Sequence, residues 1–250
     1  MEEKLGIIVP TRNRSQYVRE LIDSLISSED SNLLEINIFV DGDIDSLHDI
    51  SGHINKRRDT CPEIVFNIAC SEYQLYSVGA YNAALNLCST NLFCWVSDLI
   101  VFEDKKWILN LLNHFYSDFP DGTGVMSLTQ GGAGFGMGSK KFVEYNSGEF
   151  FYPGYVIHYC DVELSHRAIL MGKYSWMYGD FFRYRREFKE GASCLDSGIR
   201  YEMIRKDRIL YSKRKDHKFY IPKEKIFNPD HDFLQFEKCL VGVNNDRNKI

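Results

Sequence analysis

The sequence predicts an α/β fold, a mixed and mostly parallel sheet flanked by helices, on three observations. Short apolar runs alternate with amphipathic stretches through the first half, the rhythm of strand–helix–strand units. Polar clusters fall where the apolar runs end, so they gather at the carboxyl edge of such a sheet, where open parallel sheets bind ligands. The chain has 250 residues, 44% of them hydrophobic, and no Pro/Gly/Ser-rich linker divides it. That is enough to bury the core of one domain.

Leu5 to Val9 (LGIIV) reads as a buried strand ended by Pro10. After the polar turn Thr11–Arg12–Asn13–Arg14, Ser15 is placed to cap a helix whose apolar positions Val18, Leu21, Ile22, Leu25 and Ile26 recur at helical spacing. INIFVD (Ile36 to Asp41) is a second strand with the acidic, glycine-containing exit DGD, and a helical stretch follows through Ile54. EIVFNIA is a third strand, with Gly79 to Leu87 as its helix. NLFCWVSD is a fourth, ending at Asp98 and followed by the helix WILNLLNHF. GVMSLT is a fifth strand. The glycine-rich QGGAGFGMGSKK after it fits neither a dinucleotide fingerprint nor a phosphate loop, and reads as a closing loop or connector. CDVELSHRAILMGKY is a helix with Val162, Leu164, Ala168, Ile169 and Met171 as apolar positions, Gly172 as its stop and Asp161 at its start. The peptide dipoles there favour an ionised carboxylate, as a general base requires, although Asp is equally common as a plain helix cap. DHDFLQFEK reads as a capped C-terminal helix within an otherwise irregular last third.

Pro10 to Arg14, Asp41 to Asp43 and Asp98 should therefore meet at one rim. Turn formation alone accounts for any one of these loops. Three on one edge indicate a site.

Composition excludes several classes. The net charge of −5 is spread along the chain, and the run Lys213–Arg214–Lys215 reads as a solvated loop, so nucleic acid is unsupported as a partner. Seven scattered cysteines without a C-x-x-C pair argue against a zinc ribbon or disulfide framework and for a reducing compartment. The N-terminus MEEKLGIIVP is acidic where a leader needs basic residues, and no apolar stretch approaches the roughly 18–20 residues of a membrane span. The expectation is a cytoplasmic protein.

From about Leu5 to Tyr174 the chain resembles the inverting, family-2-type glycosyltransferases. IIVPTRNRSQYVRELIDSL is similar to the family's first strand, P-T-x-N-R loop and first helix. VDGD resembles the acidic end of the second strand, and VGAYNAAL the G-x-x-x-N-x-A helix start, with Gly79 and Asn82 in register. DVELSHRAILMGKY resembles the segment whose first aspartate is the base. The resemblance implies a GT-A (Rossmann-like) single domain over 1–250: a nucleotide-sugar half at 1–100, an acceptor and catalytic half at 101–215, and a tail with helix at 216–250. It implies Asp161 as catalytic base and Pro10, Thr11, Arg12, Asn13, Arg14, Asp41, Gly79, Asn82 and Asp98 as donor contacts. The aromatic-rich flank of Asp161 suggests acceptor contacts from Tyr155, His158 and Trp176, although such aromatics more often fill a core or line a homo-oligomer interface.

A divalent cation, Mn²⁺ or Mg²⁺, is the implied cofactor, with Asp98 and His217 (or His231) as ligands. Two positions depart from the pattern: Leu99 follows Asp98 where a second metal-binding acid is usual, and Cys160 replaces the acid before the base. Without a metal, Arg12, Arg14, Lys213 and Lys215 are the available diphosphate counter-charges. The implied reaction transfers a sugar from a nucleoside diphosphate, UDP, to an acceptor hydroxyl. The alternative is a catalytically impaired sugar-nucleotide or glycan-binding protein on the same scaffold. A nucleotidyltransferase would show a glycine-rich loop after its first strand, which the PTRNR loop lacks.

Overall fold

The computed structural model describes residues 3–129, 134–177, 179, 182–184, 197–231 and 233. Cys194, Cys239, Tyr178, the start of the glycine-rich segment and most of the expected C-terminal helix lie outside them.

Strands β1 (Leu5–Thr11), β2 (Leu34–Val40), β3 (Val65–Cys70) and β4 (Leu92–Trp95) are parallel. They are joined by α1 (Ser15–Ile26), α2 (Ile44–Arg58) and α3 (Tyr76–Leu87). After β5 (Ile100–Phe102) and α4 (Trp107–Asp118), β6 (Val125–Ser127) and β7 (Gly136–Ser139) extend the sheet, with β7 antiparallel to both β4 and β6. Helices α5 (Lys140–Tyr145) and α6 (Cys160–Leu170) lead to β8 (Tyr174–Trp176), which pairs parallel to β6. The order is β3-β2-β1-β4-β7-β6-β8, and a separate ribbon joins β5 to β9 (Phe182–Tyr184). Helix α7 spans Ser197–Asp216.

Every strand of the large sheet except β7 runs the same way. The carboxyl ends of β1, β2, β4, β6 and β8 consequently share one edge. The order reverses beside β1, since β2 and β3 lie on one side of it and β4 on the other; that switch point is where such sheets open a crevice.

The period-2 alternation of the strands divides two apolar layers. Leu5, Ile7 and Val9 of β1 and Leu92 and Cys94 of β4 face a core shared with α1, α2 and α4. Ile8, Phe93 and Trp95 face the other, built from α3, α5, α6 and α7.

Four local expectations need correction. Pro10 lies within β1. Val96 N–H donates to Ile8 O, so even-numbered residues of β1 face β4, and that ladder ends at Trp95, leaving Pro10 with no bond to make. Ser15 is the first residue of α1, because Arg14 occupies the cap position and makes no side-chain cap bond. The glycine-rich segment is not all connector: Gly136 to Ser139 form β7. A Cβ at Gly136 would stand 2.4 Å from Trp95 Cζ2 and 2.7 Å from Met126 O, so glycine there lets β7 close against the indole. The run Lys213–Arg214–Lys215 is no solvated loop but the last turn of α7, with Arg214 buried.

Candidate active site

The rim is assembled by three short links between loops. Thr11 Oγ1 donates to Asp98 Oδ2 at 2.8 Å, joining the ends of β1 and β4 across the switch point. Arg12 Nη1 donates to Asp41 O at 2.8 Å, and Asn13 N–H to Asp43 Oδ2 at 2.7 Å, joining the loops after β1 and β2. Asn13 (φ 54°) and Gly42 (φ 64°) adopt left-handed backbone at these turns, and so does Tyr76 (φ 60°) at the start of α3. Left-handed non-glycine residues persist only where their surroundings hold them, and such residues concentrate at functional sites.

Asp98 is buried at 2% exposure. Its second oxygen accepts from Arg14 Nη1 at 3.2 Å and Ser97 Oγ at 3.1 Å. Burial pushes its carboxyl above the ordinary range, against the pull of Arg14 and the hydroxyls. Asp41, also buried, accepts the N–H groups of Leu75 (2.5 Å) and Tyr76 (3.1 Å) and so caps α3. Burial raises it as well, opposed by those N–H groups and Arg12.

The same rim holds Asp161. The β6–β7 connection belongs to this edge, and the Cβ position of Gly134 within it lies 3.6 Å from Asp161 Oδ2. Asp161 is the second residue of α6, entered through left-handed Tyr159 (φ 66°). Among the described residues it makes no ion pair. Burial raises its pKa, only partly offset by the Val162 N–H and the charge of His158. Desolvation thus works against the helix start, which favours the ionised form. His158, half-buried, is shifted down by burial, with Asp161 pulling the other way.

Other expected contacts are engaged elsewhere. Asn82 spends its amide on one peptide, donating to Phe151 O at 2.9 Å and accepting Phe151 N–H at 3.2 Å. Gly79 sits inside α3, where a Cβ would stand 2.9 Å from Leu75 Cβ. Tyr155 is buried, with its hydroxyl on Glu163 Oε2 at 2.7 Å. Trp176 is 56% exposed at the carboxyl end of β8, on the site's edge. His217 is exposed beyond α7 and stacks on Tyr220, while His231 Nε2 lies 3.0 Å from His166 Nδ1.

The implied cation does not fit the donors present. Among the described residues no three of His, Cys, Asp and Glu converge. Asp98 has both oxygens engaged, and Leu99 is apolar and buried. An ion on Asp98 Oδ1 would have to displace Arg14 or Ser97, and one on Oδ2 would share that oxygen with the Thr11 hydroxyl.

The sequence reading missed α7. Asp207, Tyr211 and Arg214 recur at i, i+4 and i+7 and are buried on one stripe of this otherwise polar helix. That helical spacing was the available signal, obscured because two of the three are charged.

The sequence profile of glycosyl transferase family 2 matches residues 6–192. The chain belongs to glycosyl transferase family 2. Its fold is GT-A. Among solved structures it is similar to S. aureus TarS 1-349 in complex with UDP-GlcNAc (15% identity, TM-score 0.60, 95% of this chain and 70% of that one) and in complex with UDP (14%, 0.59, 99% and 72%). It is also similar to the mannosyltransferase PcManGT from Pyrobaculum calidifontis in complex with GDP-Man and Mn²⁺ (14%, 0.56, 72% and 55%). The chain thus spans 43% of a longer TarS structure and little more than half of PcManGT. A sequence comparison with curated proteins finds no match. No helix among the described residues is long and apolar enough to cross a membrane.

Proposed function

We propose that this glycosyltransferase moves a sugar from a UDP-linked donor to an acceptor hydroxyl with inversion, and that Asp161 is the general base. The observation that carries this reading is Asp161 itself: a carboxylate with no ion pair among the described residues, at a helix start, beside the β6–β7 loop and on the edge where Thr11 meets Asp98. Such a group accepts the acceptor hydroxyl's proton as that oxygen bonds to the anomeric carbon. The bond from that carbon to the diphosphate oxygen breaks on the opposite face.

The leaving diphosphate gathers negative charge, which preorganised donors must meet. Arg12 and Arg14, fixed by Asp41 O and Asp98, supply it in this reading. A divalent cation at Asp98 Oδ1 would compete with Arg14 for that oxygen. Asp41 and Asp98 act from beneath, holding the loops, while Trp176 offers an exposed face to the acceptor.

One observation favours a second reading, a sugar-nucleotide-binding protein without turnover: Leu99 and the engaged Asp98 leave no ready cation shell. A thermal-shift panel of UDP- and GDP-sugars, with Mn²⁺ or with EDTA, tests donor and cation together, because a ligand of the native state raises apparent stability by mass action. The expected result is a shift with UDP and UDP-sugars that survives EDTA. A shift with GDP-sugars alone would reject the UDP assignment.

A further inference from the structure

The segment that delivers Asp161 hangs from one side chain on α7. The Asp207 carboxylate, 1% exposed, accepts three consecutive backbone N–H groups: Val156 at 3.0 Å, Ile157 at 2.9 Å and His158 at 2.9 Å. Three successive amides aimed at one buried carboxylate fix a turn tightly, since each charge-assisted bond is short and directional. The next residue, Tyr159, is the left-handed one, and α6 starts immediately after it. Tyr159 stacks on Tyr211, one turn along α7 from Asp207, with ring centroids 5.2 Å apart. Two turns along, Arg214 grips Glu163 in the first turn of α6 at 2.8–3.2 Å. On its other side the segment is tied to α3, where Val78 N–H donates to Val156 O at 3.2 Å.

We propose that Asp207 is a positioning residue: by holding the amides of 156–158 it sets the turn through Tyr159 that aims Asp161 at the donor edge. This rests on the reading of Asp161 as the base. The stripe Asp207–Tyr211–Arg214 then makes α7 a splint for the catalytic segment rather than a mere cover. Among the described residues the hydrogen bonds of Asp207 all go to the amides of 156–158 and none to the loops after β1, β2 and β4, so its loss should change the chemical step and leave nucleotide binding alone. A carboxylate aimed wrongly by an ångström costs about a hundredfold in rate.

The test compares wild type, Asp207→Asn, Asp207→Glu and Asp161→Asn in three measurements. These are hydrogen exchange of peptides covering 156–161, UDP affinity by calorimetry, and UDP release from UDP-GlcNAc with water in the acceptor's place. For both Asp207 variants the expectation is faster exchange at 156–161, unchanged exchange in β1 and β2, UDP affinity within about twofold of wild type, and kcat at least tenfold lower at similar KM. Asp207→Glu keeps the charge and displaces it by one methylene, so it covers the case in which Asp207→Asn fails to fold. Unchanged exchange at 156–161, or wild-type kcat in a variant whose amides have lost protection, would overturn the proposal. Turnover surviving in Asp161→Asn would remove the base assignment instead, and the exchange result would still judge Asp207.

Discussion

Replacing Glu163 by Ala should rank among the most damaging single changes in the described structure. Glu163 is 1% exposed and receives Arg214 Nε and Nη2 at 2.8–3.2 Å, Arg167 Nη1 at 3.4 Å and the Tyr155 hydroxyl at 2.7 Å. Arg167 keeps Glu149 Oε2 at 3.3 Å and Asn146 O at 3.1 Å when Glu163 goes. Among the described residues Arg214 keeps only the face of Tyr152, 3.4 Å from its guanidinium carbon, and that of Tyr220. One buried cation is thereby left without a carboxylate, a loss of roughly 3–5 kcal/mol. Against a total stability of about 5–15 kcal/mol this removes a large share, and the melting temperature should fall by roughly 6–20 °C. Urea and thermal unfolding of wild type, Glu163→Ala and the triple variant Tyr155→Phe/Glu163→Leu/Arg214→Met measure it. The triple variant should recover most of the loss, because buried ion pairs exchanged for apolar groups of similar volume cost little. A loss below about 1 kcal/mol in Glu163→Ala, or a triple variant no better than the single, would refute this account of how α7 is held.

Three further outcomes are expected. Gly136→Ala should cost about 1–3 kcal/mol in unfolding experiments, since its Cβ meets the Met126 carbonyl as well as Trp95, whereas Gly138→Ala, whose nearest neighbour is 3.3 Å away, should be milder. Arg14→Met should weaken UDP binding roughly ten- to hundredfold by calorimetry in EDTA, the loss of a charge-assisted contact of about 1.5–3 kcal/mol. His166 is fully buried beside His231, and burial, with that neighbour, depresses its pKa to about 3. Its folded-state pKa is below the unfolded value of about 6.5, so the unfolded chain binds the extra proton and stability falls as pH drops from about 6.5 towards 3, by on the order of 1 kcal/mol per unit. In denaturation series at pH 7 and pH 5, His166→Phe should lose less stability than wild type.

The first half of the chain was legible because local and global signals agree there. β1 and β4 are nearly continuous apolar runs, as buried parallel strands are, β2 keeps Leu34, Ile36, Ile38 and Val40 around Glu35 and Asn37, and each polar loop follows a strand end. Asp41 and Asp98 were placed at the rim for the same reason. Their engagements were not legible, because Thr11 reaching Asp98, or Leu75 donating to Asp41, joins residues dozens of positions apart. β7 was hidden by its glycines, which a β-propensity reading penalises and the Trp95 indole requires. α6 was placed correctly, yet its expected single apolar face was too narrow: Glu163, His166 and Arg167 are buried too, since α7 and the segments after it cover a second face. Helix α7 escaped notice because it docks through a carboxylate, a tyrosine and a guanidinium rather than through an aliphatic stripe.

The role of Asp161 is tested most directly by the pH profile of UDP release from UDP-GlcNAc by wild type and Asp161→Asn, with UDP affinity determined for both. Because burial raises the Asp161 pKa, wild-type kcat should fall on the acid side at a pH above the ordinary aspartate range. Asp161→Asn should bind UDP as wild type does and release it from the sugar at least a hundredfold more slowly. An Asp161→Asn protein that keeps both its rate and its acid limb would contradict the assignment.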